Sequence, residues 1–110
     1  AGQSLLDRRE PPTAVFAAND LMALGFMGAA KARGLGIPDE LSVVGFDDTA
    51  ICAFEYVRLS TVHQPADELG SAGINSLIER IEQPATSVRT RVLPPRLVLR
   101  QTTAPLASGR

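Results

Sequence analysis

The chain has 110 residues, 45% of them apolar and 21% charged, with nine Gly and eight Pro, which is the composition of an ordinary folded domain and excludes a disordered tract. Eleven Lys and Arg against twelve Asp and Glu leave a net charge of −1, so this segment carries no electrostatic footprint for gripping a nucleic-acid backbone. The longest apolar stretch, 21–30, is far short of the roughly 20 residues that cross a bilayer, and no charged-then-apolar signal segment opens the chain.

Residues 1–10 (AGQSLLDRRE) begin without an initiator Met and read as the last turns of an amphipathic helix, which suggests a fragment of a longer protein. Pro-containing breaks at Pro11-Pro12, Pro38, Pro65, Pro84 and Pro94-Pro95 then divide the chain into short units. Residues 13–18 (TAVFAA) are apolar throughout and predict a strand buried on both faces. Asn19 and Asp20 supply N-cap chemistry for a helix over 21–33, with Gly34 placed for a left-handed C-cap. A second buried strand is expected over 41–46 (LSVVGF), Asp47-Asp48-Thr49 opens a short helical segment, and 59–63 (LSTVH) predicts a third strand.

Strand, helix, strand, helix, strand at this spacing predicts an α/β fold: a parallel sheet with right-handed crossovers and helices on both faces. A longer helix follows over 65–83, with Pro65 at its first position and a stripe of Leu69, Ile74, Leu77, Ile78 and Ile81. Residues 88–93 and 96–99 are two further candidate strands, separated by Pro94-Pro95.

Ligands of open parallel sheets bind outside the carboxyl ends of the strands, and three polar groups fall there: Asn19, Asp47 and His63-Gln64. An amide that donates and accepts beside a carboxylate that only accepts suits a ligand bearing hydroxyl or amine donors. Helix capping is the rival role for Asn19 and for Asp47, and Asp20 or Asp48 could cap instead. An acid-base hydrolase using Asp47 and Asp48 is disfavoured, because adjacent residues leaving a strand point in different directions. The single cysteine, Cys52, lies in an apolar stretch and predicts a buried, inert thiol, and the single histidine, His63, predicts structural hydrogen bonding or exposure. One cysteine and one histidine exclude the usual cysteine-based zinc site and multi-histidine cluster, so no metal and no cofactor is expected. The helix over 21–33 is apolar on almost every side yet contains Gly25 and Gly28, which predicts close packing on a second face, either against more of this chain or against another protomer.

The segments VFAANDLMALGFMGAAKARGLGIPDELSVVGFDDT, LSTVHQP and RLVLRQTTAP, in this order and spacing, resemble the C-terminal part of the effector-binding domain of LacI/GalR-family transcriptional regulators over residues 5–105. A periplasmic sugar-binding protein of an ABC transporter shares the Asn-Asp and Gly-Phe-Asp elements and is the alternative. The resemblance implies a fragment of a two-lobed, type I periplasmic-binding-protein-like fold: 1–64 in the C-terminal lobe, 65–93 crossing to the N-terminal lobe, and 94–110 returning as a strand and tail. It implies a cytoplasmic repressor-type switch and not an enzyme, which closes two lobes over a small effector, by default a sugar. Operator DNA would be read through an N-terminal helix-turn-helix preceding Ala1. By the same resemblance Asn19, Asp47 and Gln64 contact the effector, while Leu21, Leu24, Gly28 and Phe54 lie on homodimer surfaces. Two positions depart from the family: its frequent Pro-Pro before the third strand is Val57-Arg58 here, which implies a different backbone path, and Ala66 replaces a large ligand-stacking side chain found in some sugar-responsive members.

Overall fold

A computed structural model describes residues 2–106, which divide into two compact units: the residues up to His63 together with those from Arg96 onward, and the segment Gln64–Pro95. The end of the expected tail, 107–110, lies outside the described residues. The first unit holds helices α1 (Gly2–Leu6) and α2 (Asp20–Ala32), a single turn of 3-10 helix (Ala50–Ala53), and strands β1 (Ala14–Phe16), β2 (Ser42–Asp47), β3 (Ser60–His63) and β4 (Arg96–Val98).

The strands form one sheet in the order β1-β2-β3-β4. The first three run parallel, with Phe16 opposite Val44 and Asp47 opposite His63. The sheet is nevertheless mixed, not wholly parallel as the alternation of strands and helices suggested, because β4 is antiparallel to β3. The reason is in the register: the chain leaves the sheet at His63 and re-enters at Arg96, directly opposite it, and so runs back along β3. The strand at 13–18 also differs from its expected burial. It lies at the sheet edge, Ala14 and Phe16 are exposed, and Phe16 rests edge-to-face on Phe46 with ring centroids 6.3 Å apart. An apolar run cannot distinguish an edge strand from a central one.

Alternation places Val15, Val43, Gly45 and Thr61 on the sheet face covered by α2. Ala23, Phe26 and Ala30 recur at helical spacing on the buried side of α2 and join Leu41, Val43, Cys52 and Leu59 in one core. α1 closes the outer end of this core, with Leu6 buried. Each large aliphatic side chain removed from water here contributes roughly 1.5–3 kcal/mol. At its start α2 is capped by Asn19, whose Oδ1 accepts from the Met22 N–H at 2.8 Å, and at its end Gly34 takes φ +75° while its N–H donates to the Lys31 carbonyl. The helix thus begins directly after Asn19 and ends two residues before Gly34.

The residues after β4 seal the far end of the sheet. Thr102 is buried where β2 and β3 have not yet paired: its Oγ1 donates to the Val43 carbonyl at 2.7 Å and accepts from the Ser60 N–H at 2.9 Å, while its own carbonyl accepts from the Val43 N–H. Just before β3, Arg58 takes φ +44°, the altered path implied by Val57-Arg58.

The second unit consists of α3 (Ala66–Glu82) and a segment without regular structure. Pro65 is the N-cap of α3 and not its first residue. No residue of α3 is buried, and Leu69, Ile74, Leu77, Ile78 and Ile81 are 44–68% exposed. The expected strand at 88–93 does not form, because none of the sheet's four strands pairs with it and an unpaired strand leaves its backbone groups unsatisfied. Arg89 and Arg91 instead tie this segment to Glu79 and Glu68 of α3.

At the head of α2 the sequence gives little warning of what Asp20 does. Its carboxylate is 1% exposed and sits over the sheet, where Oδ2 accepts from the Thr49 N–H (2.8 Å) and hydroxyl (2.9 Å), and Oδ1 from the Thr61 hydroxyl (2.6 Å). Gly45 lies directly beneath: a Cβ there would come within 2.4 Å of Oδ1 and 3.3 Å of the Asp20 Cα. Burial by itself raises the pKa of Asp20, but the hydrogen bonds from Thr61, Thr49 and Cys52 outweigh it and hold the carboxyl below its ordinary value. A carboxyl depressed on folding contributes stability that is fully present above the unfolded value near 3.8 and is lost as pH falls through the lower folded value. Asp20→Asn keeps the shape but removes the charge, so it should lower stability near neutral pH by about 1–3 kcal/mol. Urea unfolding at a series of acid pH values should show that gap closing as wild-type Asp20 protonates; a gap constant with pH contradicts the assignment.

Candidate functional site

Parallel pairing brings the candidate polar residues to one edge of the first unit. Asn19 stands three residues beyond Phe16, as Asp47 stands three beyond Val44, and Phe16 and Val44 are partners in register. His63 is opposite Asp47 on β3. Asn19, Asp47 and His63 therefore occupy the carboxyl ends of three adjacent strands, the edge where open sheets bind ligands. Gln64 follows His63 directly and opens the second unit. Asn19 does cap α2 through Oδ1, which leaves the two N–H groups of its amide as the chemistry it can offer a ligand.

The backbone at Asp47 and Asp48 is unusual. Their φ angles are +112° and +60°, a region that L-residues with side chains rarely enter, although Asp and Asn tolerate it best. Conformations of this kind cost of order 1–3 kcal/mol each and persist only where surrounding bonds over-determine them. Here the bonds are explicit. Asp48 is held by Arg100 Nη2 at 2.8 Å and His63 Nδ1 at 2.9 Å, and Arg100 also donates to the Leu59 carbonyl. The following residue, Thr49, is held by Asp20.

Burial tends to raise the Asp48 pKa, but hydrogen bonds from Arg100 and His63 and their positive charge prevail and lower it. Asp48 is thus an acceptor-only carboxylate, so His63 Nδ1 carries the proton it shares with Asp48. A general acid needs the opposite shift, which removes Asp48 from an acid-base pair with Asp47. Asp48 does not cap the helical turn either: the N-cap position belongs to Thr49, without a side-chain cap bond. Cys52 is fully buried, and burial together with its hydrogen bond to Asp20 pushes the thiol up to about 11, so it is a thiol and not a nucleophilic thiolate. Among the described residues no cluster of His, Cys, Asp and Glu could hold a metal ion, and no helix is long and apolar enough to cross a membrane.

The outer side of α2 is a second feature. Leu21, Leu24 and Gly28 recur at spacings of three and four; Leu21 is 73% exposed, Leu24 half-buried and Gly28 exposed. A Cβ at Gly25 or Gly28 would meet nothing within 4 Å, so among the described residues these glycines have no close-packed neighbour to compensate their helical cost. Beyond the 3-10 turn, Phe54 is 59% exposed and its ring lies 6.0 Å from that of Tyr56.

Sequence reasoning missed the role of two residues that shape the site, Asp20 and Arg100. Gly45 inside an apolar strand was the available signal for Asp20, since such a glycine marks close approach of another group. Arg100, a lone cation ending an apolar run, was the signal for a buried anionic partner.

A family model described as a periplasmic binding protein-like domain matches residues 2–103. The ribose operon repressor of Haemophilus influenzae is 42% identical over 99 residues, which cover 90% of this chain and 30% of that protein. Among solved structures, a LacI transcriptional regulator from a Rhodococcus species superposes with a TM-score of 0.87 at 34% identity, covering 94% of this chain and 38% of that one. A LacI-family transcriptional regulator from Enterococcus faecium with bound ribose superposes at 0.84 with 35% identity, covering 96% of this chain and 38% of that one. The chain spans about a third of the length of these relatives. It belongs to the periplasmic binding protein-like domain family, in the form carried by LacI-family transcriptional regulators.

Proposed function

We propose that this chain is part of the effector-binding and dimerisation region of a repressor-type, cytoplasmic transcriptional regulator, and that its effector is a small sugar. The observation that carries this reading is the gathering of Asn19, Asp47 and His63 at the carboxyl ends of three parallel strands, with Asp47 held at a positive φ. A carboxylate accepts from sugar hydroxyls, and an amide can donate to their oxygens. A relative of the same fold holds ribose, which makes D-ribose the probe of choice. Gln64, next along the chain from His63, is a further contact on this reading. Residues 1–64 and 94–110 are assigned to the C-terminal lobe and 65–93 to the N-terminal lobe. The protein acts as a switch and not as an enzyme: effector binding shifts a conformational equilibrium by its differential affinity for two states, and operator DNA is read by a helix-turn-helix outside this chain.

Asp47→Asn tests the site. Asn tolerates a positive φ, so the backbone is kept while the charge is removed. Calorimetric titration of the full-length protein with D-ribose should show roughly 1.5–3 kcal/mol weaker binding, the value of a charge-assisted hydrogen bond, with little change in Tm. Unchanged affinity removes Asp47 from the site.

The exposed side of α2, with Leu21, Leu24 and Gly28, is the proposed homodimer surface together with Phe54 beyond the 3-10 turn. Leu21→Asp places a charge on that side without disturbing the core, since Leu21 is largely exposed. Sedimentation of the full-length variant should give folded monomers that retain effector binding. A variant that stays dimeric refutes the surface.

A further inference from the structure

The residues that touch a ligand are only as well aimed as the backbone beneath them, and the least relaxed backbone in the first unit is at Asp47 and Asp48. Two consecutive non-glycine residues at positive φ do not hold themselves there. Within the pair, Asp48 is tied down through its own side chain by Arg100 and His63. Immediately after the pair, the restraint comes from outside the loop. Thr49 gives both its N–H and its hydroxyl to Oδ2 of Asp20, and Oδ1 of Asp20 is in turn pinned by Thr61 in β3. The bare Gly45 of β2 permits the approach, because any side chain there would collide with that carboxylate.

We propose that Asp20 is a positioning residue for the effector site: by fixing Thr49 against β3, it holds Asp47 and Asp48 in the left-handed backbone that aims the Asp47 carboxylate off the strand end. Its link to an effector rests on the reading of Asp47 given above. The same side chain opens α2, so the helix carrying Leu21 and Leu24 is joined to the ligand loop by two hydrogen bonds and to the sheet by a third. Asp20 itself is only 1% exposed, so its carboxylate is not offered to solvent or to a ligand. Its contribution is to the direction of another residue's carboxylate.

Thr102→Val provides the comparison, because Thr102 is equally buried and hydrogen-bonded but seals the opposite end of the strands. Crystal structures of the full-length wild-type, Asp20→Asn and Thr102→Val proteins without ligand read the φ angles at Asp47 and Asp48, and calorimetry with D-ribose reads affinity. In Asp20→Asn at least one of the two φ angles should leave the positive region and the Kd for ribose should rise at least about tenfold. Thr102→Val should change neither, although it destabilises the fold. Positive φ at both residues in Asp20→Asn overturns the proposal whatever the affinity, and so does a relaxed backbone with unchanged ribose affinity. If the wild type does not bind ribose, the sugar reading of the site fails and the φ angles alone decide whether Asp20 positions the loop. Should Asp20→Asn not fold, Thr49→Ala, which deletes one of the two bonds from Asp20 to the loop, should show the same shifts in smaller measure, and their absence overturns the proposal.

Discussion

A carboxylate buried at the junction of a helix, a loop and a strand is the constraint on which the first unit depends. Taking a charge out of water costs several kcal/mol unless the lost hydration is replaced by hydrogen bonds. Asp20 meets that condition with three donors from two threonines, Thr49 and Thr61. The consequence runs through the sequence: position 45 must be glycine to admit the carboxylate, Thr61 must face the helix, and Thr49 must arrive with its N–H turned inward. Apolar packing of Ala23, Phe26 and Ala30 on Leu41, Val43 and Leu59 gives α2 its affinity for the sheet. Packing of that kind is tolerant of small sliding motions, whereas three hydrogen bonds to one carboxylate fix the register of helix and strands at the end where the polar residues gather.

That end of the sheet is polar for a topological reason. Parallel strands joined by crossovers deliver every loop that follows a strand to the same edge, so Asn19, Asp47 and His63 converge although they are far apart in the chain. Asp48 is held by Arg100 and His63 and serves the architecture. The opposite end is sealed by Thr102 between β2 and β3. Under the proposed function, a small polar effector meeting this edge would find its contacts carried on a backbone already fixed, and preorganisation of this sort reduces the ordering cost that binding otherwise incurs.

How much of this was legible depended on whether the determinant was local. The bounds of α2 were, because Asn19 and Gly34 act on their own helix through capping and a positive φ. The three parallel strands were, because apolar runs of that length between helical segments have few other uses. The edge position of β1 and the reversed direction of β4 were not, since both are set by pairing order and by where the chain re-enters the sheet. Asp20 was hidden by a correct local rule: an acid in the first turn suits a helix whether or not it is buried, so only Gly45, on another element, called for a second role. Asp47 was read as a ligand contact with helix capping as its rival, and only the φ angles reveal that Asp47-Asp48 is a strained turn, braced at Asp48 and at Thr49. The resemblance supplied the site residues, and the braces around them became visible only in three dimensions.

The central claim is that the carboxyl edge of β1, β2 and β3 is an effector site aimed by this bracing. A crystal structure of the full-length protein grown with D-ribose tests it most directly. The account predicts the sugar at that edge, one hydroxyl within about 2.5–3.0 Å of an Asp47 carboxylate oxygen, and Asp48 still bonded to Arg100 and His63. Ribose bound elsewhere, or bound at the edge with Asp47 turned away from it, would contradict the account.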